Sequence, residues 1–202
     1  MSKLKLYGIS GSRALRSLWM AEELGLDYEH VPIHFAKEAK TPEYGEINPN
    51  QKIPAIDDDG FKLWESMAIN FYLAKKHGGD LAPKTLEEEA VAVQWSVWGM
   101  AECEKLLLAI VLRLPSIGMM PPDEAVTTAA KEDLKTPLGV LDRCLDGHDY
   151  LMGGRFTVAD LNLASILSWC VLGGVDLGAV PNVQSWLERC TARPALARAQ
   201  EK

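Results

Sequence analysis

The apolar pattern of this chain changes character once, near residue 78, and that change limits the fold more than any other feature. Before it, alternating runs are interleaved with helical ones. Leu4 and Leu6 alternate with lysines and read as a strand ending at Gly8. Leu15, Leu18 and Trp19, flanked by Ala14, Ala21 and Leu24, recur at helical spacing up to Gly25, which stands where a helix C-terminal cap belongs. Residues 28–33 read as a second strand, giving a strand-helix-strand unit of about 30 residues with a right-handed crossover. Thr41-Pro42-Glu43 signals an N-cap followed by Pro at the first helical position, opening a short helix to about Ile47. The runs 54–56 and 61–64 flank Asp57-Asp58-Asp59-Gly60, a hairpin signal. Ser66 then reads as the cap of a helix with Ile69, Tyr72 and Leu73 on one face.

After Gly78-Gly79-Asp80-Leu81-Ala82-Pro83-Lys84 the strand signals stop. Residues 86–113, 122–145, 158–171 and 183–193 all carry helical patterns, with Pro115 and Pro122 bounding a break and Arg193-Pro194 introducing a loose last turn. Phe156-Thr157-Val158-Ala159-Asp160-Leu161 is a capping box in its Asp form with the hydrophobic-staple pair in place, so its role is read as structural. The expected architecture is an α/β domain over 1–79, a linker over 80–85 and an all-α domain over 86–202.

A chain of 202 residues can bury a substantial core. Its net charge of -7 argues against nucleic acid or an anionic membrane as the main partner. No apolar run approaches the ~18 residues of a membrane span, and the first residues lack the apolar stretch of a signal peptide. Cys103, Cys144, Cys170 and Cys190 lie far apart, a spacing that supports neither a zinc site nor a redox dithiol and reads as buried thiols in a reducing compartment. His30, His34, His77 and His148 show no metal-ligand spacing. The expectation is a cytoplasmic protein with no metal.

Three places carry residues suited to chemistry. At Ile53-Pro54, a proline opening a strand can leave a neighbouring backbone edge unpaired; only about 5–6% of such bonds are cis, but a cis bond would turn the Ile53 amide and carbonyl outward, where they pair with an extended peptide as an added strand would. An ordinary edge proline is the competing reading. At Glu65-Ser66, helix amides and a hydroxyl suit a carboxylate while Glu65 suits an ammonium, so together they match a zwitterionic amino-acid end; the bland reading is a plain N-cap beside a solvated acid. In the loop after the first strand, a hydroxyl from Ser10 or Ser12 at a helix start would lower a thiol pKa, with Arg13 and Arg16 adding positive potential. Here too a simple N-cap competes, Ser12 fitting it better.

Taken as a set, Leu6-Tyr7-Gly8, Ser12-Arg13-Ala14-Leu15-Arg16, Glu22-Glu23-Leu24-Gly25, Asn48-Pro49-Asn50-Gln51-Lys52-Ile53-Pro54-Ala55, Glu65-Ser66 and the 156–160 box resemble the glutathione S-transferase family over essentially the whole chain. The resemblance implies a thioredoxin-like N-terminal domain, an all-helical C-terminal domain and a homodimer, and it makes a cis Pro54 the expected form. It implies that Glu65 and Ser66 hold the γ-glutamyl end of glutathione, that Ile53 pairs with the cysteinyl backbone, and that Lys52 and Gln51 face the glycyl carboxylate. Tyr7, at the strand end, does not match the catalytic tyrosine of the tyrosine-type classes, and the chain looks more like serine-type bacterial and theta-like members. Counting forward from the strand selects Ser12 as the sulfur partner, with Ser10 the alternative because related loops are longer; Ile9 occupies a slot where some relatives carry the hydroxyl.

The implied activity is conjugation of the glutathione thiolate, as co-substrate, to a small hydrophobic electrophile. That electrophile is expected between the domains, with Trp98, Met100, Met119, Met120 and Trp169 as apolar candidates for its wall. Trp95 and Glu102 are candidates for a dimer partner instead. A glutathione-dependent disulfide reductase or peroxidase is the second enzymatic reading, although no cysteine stands at positions 10–14. A non-catalytic binding protein of the same fold is the third.

Overall fold

The computed structural model describes residues 4–202. The chain divides into two compact units, Met1–Pro83 together with Arg193–Lys202, and Lys84–Ala192. The sheet of the first unit contains β1 (Leu4–Tyr7), β2 (Glu29–Val31), β3 (Ala55–Asp58) and β4 (Phe61–Trp64) in the order β2-β1-β3-β4. β1 runs parallel to β2 and antiparallel to β3, and β3 and β4 form the hairpin. Leu6 faces His30 on one side and Ile56 on the other, and Leu6 and Ile56 are fully buried. With α1 (Ala14–Glu23), α2 (Pro42–Gly45) and α3 (Ser66–His77), this is the thioredoxin-like arrangement expected.

Local chemistry accounts for the elements. α1 buries Ala14, Leu18, Trp19, Met20 and Ala21, and it ends in a Schellman closure in which the Leu26 amide donates to the Ala21 carbonyl at 3.0 Å and the Gly25 amide to Glu22 at 3.3 Å. β3 extends to Asp58, so the hairpin turn is two residues rather than four. Asp59 and Gly60 both have positive φ, 56° and 91°, as a type I′ turn requires. At the end of β1 the backbone packs so tightly that a Cβ on Gly8 would lie 2.4 Å from the Ala14 Cβ and 3.3 Å from the Ile53 Cβ. Only glycine fits there.

In the second unit, α4 (Leu86–Trp98) runs through a six-residue π-helical segment, Gly99–Glu104, into α5 (Lys105–Val111). The helical pattern predicted over 86–113 did not reveal this change of pitch. Its first residue is a close approach: a Cβ on Gly99 would stand 2.7 Å from Leu163 Cδ1. α6 (Glu124–Cys144), α7 (Val158–Leu172) and α8 (Pro181–Thr191) complete the unit, with every residue of α7 from Val158 to Leu167 buried. The capping box forms as the sequence predicts. The Thr157 amide donates to Asp160 Oδ2 at 2.9 Å, and the Ala159 amide to Thr157 Oγ1 at 3.3 Å. Asp160 also accepts from the Leu151 amide at 2.8 Å and from Trp186 Nε1 at 3.0 Å. Burial nevertheless pushes its carboxyl above the usual range.

Three expectations differ from the structure. The chain after Arg193 is a helix, α9 (Pro194–Gln200), with Pro in its first turn; it packs on α1 of the first unit through buried Ala195, Leu196 and Ala199, whereas 86–202 was expected as one helical domain. Cys144 is exposed; Cys103, Cys170 and Cys190 are buried and all four are free thiols. Burial pushes the Cys103 and Cys170 thiols up to about 12. A 3-10 turn, Gly79–Leu81, occupies the start of the expected linker. No helix among the described residues is long and apolar enough to cross a membrane.

Candidate functional site

Tyr7, Ala55 and Trp64 are partners across β1, β3 and β4. Because β3 is antiparallel to both neighbours, the segments just beyond this row emerge side by side at one end of the sheet. They are the 8–12 loop, Ile53-Pro54 and Glu65-Ser66, the three places singled out by the sequence.

The Ile53-Pro54 bond is cis. Ahead of it the chain is braced from below. Tyr44 Oη donates to the Lys52 carbonyl at 2.9 Å, Asn48 Nδ2 to the same oxygen at 2.6 Å, and Lys40 Nζ to the Gln51 carbonyl at 2.8 Å. Gln51 takes a left-handed φ of 51°. Neither the amide nor the carbonyl of Ile53 bonds to any of the described residues, so one backbone edge stays open to an extended chain, with the exposed Lys52 beside it. Sequence spacing singled out neither Lys40 nor Tyr44 as a brace. Asn48 was legible only as part of its tract.

At β4's end, Ser66 is the first residue of α3, not its cap. The cap position belongs to Glu65, which has φ 72° and ψ 114° and makes no side-chain capping bond. The chain leaves β4 by this single left-handed residue, which brings Ser66 directly into the helix, buried at 5% exposure. The first hydrogen bond of α3 runs from the Ile69 amide to the Glu65 carbonyl at 2.9 Å, so the amides of residues 66–68 precede the ladder. A non-glycine residue in this conformation costs on the order of 1–3 kcal/mol, and such outliers collect at ligand sites.

The two serines stand differently. Ser12 Oγ donates to the Ile9 carbonyl at 2.7 Å and accepts from the Ala14 amide at 3.1 Å, closing the turn into α1. Ser10 Oγ donates instead to main-chain oxygens of Gln200 and Lys202, at 3.1 and 2.8 Å. Ile9 packs against the buried cluster of Ala39, Tyr44, Ile53 and Ala55. Tyr7 meets Tyr44 edge to face at 6.0 Å, and burial, followed by the Asp57 charge, holds its hydroxyl pKa above the ordinary value.

The apolar candidates all belong to the second unit. Trp98 stacks edge to face on Trp95 at 5.1 Å and opens onto a groove along α4 with Leu86, Val93 and Val97. Met100, Met119 and Trp169 do not line that groove: Met100 lies in the π segment, Met119 in the exposed loop before α6, and half-buried Trp169 on α7. Among the described residues, no group of three or more His, Cys, Asp or Glu side chains is placed to hold a metal ion.

Residues 2–75 match the model of the glutathione S-transferase N-terminal domain, and residues 101–194 that of the C-terminal domain. Glutathione S-transferase 3 of Zea mays is 35% identical over 213 aligned positions, which cover 98% of this chain and 93% of that protein. The chain belongs to the glutathione S-transferase family. Among solved structures, the theta class glutathione S-transferase of Xanthomonas axonopodis pv. citri with glutathione bound is 30% identical, with a TM-score of 0.88 over 100% of this chain and 99% of that one. Elongation factor 1-gamma of Rattus norvegicus is 34% identical over 190 positions, 90% of this chain but 42% of that longer protein. The same similarity therefore extends to part of a longer relative that is not named as a transferase.

Proposed function

We propose that this protein is a glutathione transferase that joins the thiolate sulfur of glutathione to small hydrophobic electrophiles. The open Ile53 backbone edge, side by side with the uncapped α3 start at Glu65 and Ser66, carries this reading. It matches an extended tripeptide with an amino-acid head: Ile53 pairs with the cysteinyl backbone, Ser66 and the first α3 amides take the γ-glutamyl carboxylate, and Glu65 takes its ammonium. Lys52 and Gln51 face the glycyl carboxylate, and Pro54 sets the edge. The transferase from Zea mays and the glutathione-bound theta class structure support the same assignment.

Within this reading Ser12 is the sulfur partner and the chain a serine-type member. The Ser12 oxygen already lies at the α1 start, and a turn about its Cβ–Oγ bond moves its proton from the Ile9 carbonyl to a ligand sulfur while the oxygen keeps the Ala14 amide. Ser10 lacks that freedom, because its proton is shared between two main-chain oxygens. A hydrogen bond to the thiolate, reinforced by the helix end, lowers the thiol pKa; two pKa units correspond to about 2.7 kcal/mol. The thiolate then attacks the electrophilic carbon and displaces its leaving group. The electrophile's wall is assigned to Trp98, Met100, Met119 and Trp169, the protein to a homodimer, and its setting to the cytoplasm.

Calorimetry and thermal melting with millimolar glutathione test the binding half: heat of binding and a raised melting temperature are expected, and the absence of both would end the assignment. Ser12→Ala is expected to lower turnover of an aryl halide while leaving glutathione affinity nearly intact; unchanged turnover removes Ser12 from its role. Product analysis with a mixed disulfide separates conjugation from glutathione-dependent reduction. The similarity to elongation factor 1-gamma favours one alternative, a non-catalytic binding protein, which retention on glutathione resin with elution by free glutathione would argue against.

A further inference from the structure

The last turn of α1 ends in two carboxylates, Glu22 and Glu23, and contains no basic residue. Negative charge is disfavoured at a helix C-terminus, where exposed carbonyls already carry partial negative charge. The compensating cations are Arg193 just ahead of α9, Arg198 within it and Lys202 beyond it. Arg193 grips Glu23 with both arms, Nε to Oε1 at 2.7 Å and Nη2 to Oε2 at 2.8 Å, and Trp19 Nε1 donates to the same carboxylate at 3.0 Å. Arg198 Nε donates to Glu22 Oε2 at 3.0 Å and its Nη2 to the Glu22 carbonyl at 3.1 Å. Lys202 Nζ lies 3.4 Å from Glu22 Oε1, to which Tyr28 Oη also donates at 2.9 Å. The chain beyond α9 is thus fixed by charge, and it presents its main-chain oxygens to Ser10.

The loop those oxygens reach is held at its start, where the Gly8 amide donates to the Val31 carbonyl at 3.0 Å and the Gly8 carbonyl lies 2.7 Å from His30 Nε2. Ile9 anchors one side in the apolar cluster, Ser12 closes the turn internally, and a Cβ built on Gly11 would meet nothing within 4 Å. Ser10 is the tether on the remaining side. We infer that Ser10 is a positioning residue: its hydroxyl, held by the main chain of residues 200–202, fixes the loop that aims Ser12. This rests on the reading of Ser12 as the group that contacts the thiol.

The test uses the full chain and the variants Ser10→Ala, Ser10→Thr and Glu22→Gln, with glutathione, an aryl halide and amide hydrogen exchange at residues 9–13. Ser10→Ala should lower kcat by about threefold to tenfold, the scale of one lost hydrogen bond, with KM for glutathione unchanged and faster exchange in the loop. Ser10→Thr, which keeps the hydroxyl, should restore both. Glu22→Gln should lower kcat in the same direction, and the double variant with Ser10→Ala should be no slower than the slower single one, because both act through one strap. Unchanged kcat in Ser10→Ala overturns the proposal whatever the exchange shows, and so does a loss confined to KM, which would place Ser10 in ligand binding. If the wild type neither binds glutathione nor turns over the halide, the transferase reading fails by itself; unchanged exchange in Ser10→Ala then overturns the tether separately.

Discussion

α3 and α7 begin with the same problem, amides that have no acceptor within their own helix, and solve it in opposite ways. At α7 the capping box and the further bonds from Leu151 and Trp186 leave Asp160 saturated and out of reach of solvent. At α3 no side chain caps the helix, the residue before it has a positive φ, and the amides of residues 66–68 precede the helical ladder at the sheet end where the Ile53 edge is unpaired. A closed start serves folding, and an open start serves a ligand. The last turn of α1 is a third case: the Gly25 and Leu26 amides close its carbonyl end, and arginines from elsewhere in the sequence hold its two carboxylates.

The contrast can be broken by mutation, beginning at the closed start. Asp160→Ala strands the donors of Thr157, Leu151 and Trp186 and should cost about 3–5 kcal/mol in urea unfolding. Thr157→Ala, which removes the cap oxygen and its one bond to Asp160, should cost about 1 kcal/mol. If Asp160→Ala costs no more than Thr157→Ala, the added bonds to Asp160 do not matter. At the open start the balance should invert. Ser66→Ala should weaken glutathione binding by about tenfold to hundredfold in calorimetry, with unfolding changed by less than about 0.5 kcal/mol. A larger loss of stability than of affinity would make α3 a second closed start. Glu65→Gly should raise the unfolding free energy by about 1 kcal/mol by relieving the left-handed φ, while glutathione affinity falls.

The smallest effect concerns α1. Burial acts to raise the Glu22 pKa, but hydrogen bonds from Tyr28 and Arg198 and the Lys202 charge outweigh it and hold the carboxyl below its ordinary 4.5. A carboxyl depressed in the folded state stabilises it fully above the unfolded pKa, and the contribution is lost as pH falls through the folded value. The melting-temperature gap between wild type and Glu22→Gln should therefore be constant near neutrality and narrow as pH drops below 4.5. A gap that persists at the acid end would mean that charge does not hold α9 in place.

Much of this was legible in the sequence because the signals were local. Thr157 and Asp160 define their box within four residues, Asp59-Gly60 defines its turn within two, and Gly25 closes α1 with atoms of the preceding turn. The site was legible as three tracts, but their adjacency follows from the pairing of Tyr7, Ala55 and Trp64, which no local pattern contains. Ser66 was taken for a cap because Ser favours that position; the backbone of Glu65, a residue with no preference for positive φ, displaced it by one. α9 was read only as a loose last turn opened by Arg193-Pro194, although Pro also suits a first helical turn. The tether of Ser10 joins positions 190 and 192 residues apart, beyond any window of sequence.

The π segment between α4 and α5 has a consequence for how the family member can vary. Wider winding over Gly99–Glu104 sets two rotational phases in one rod, one for residues up to Trp98 and another from Lys105 onward. Removing one residue inside the segment would let the rod rewind as ordinary α-helix with both flanks still facing their neighbours. The same deletion in either flank would swing a buried row toward water, so length changes here are tolerated in one short window and resisted outside it.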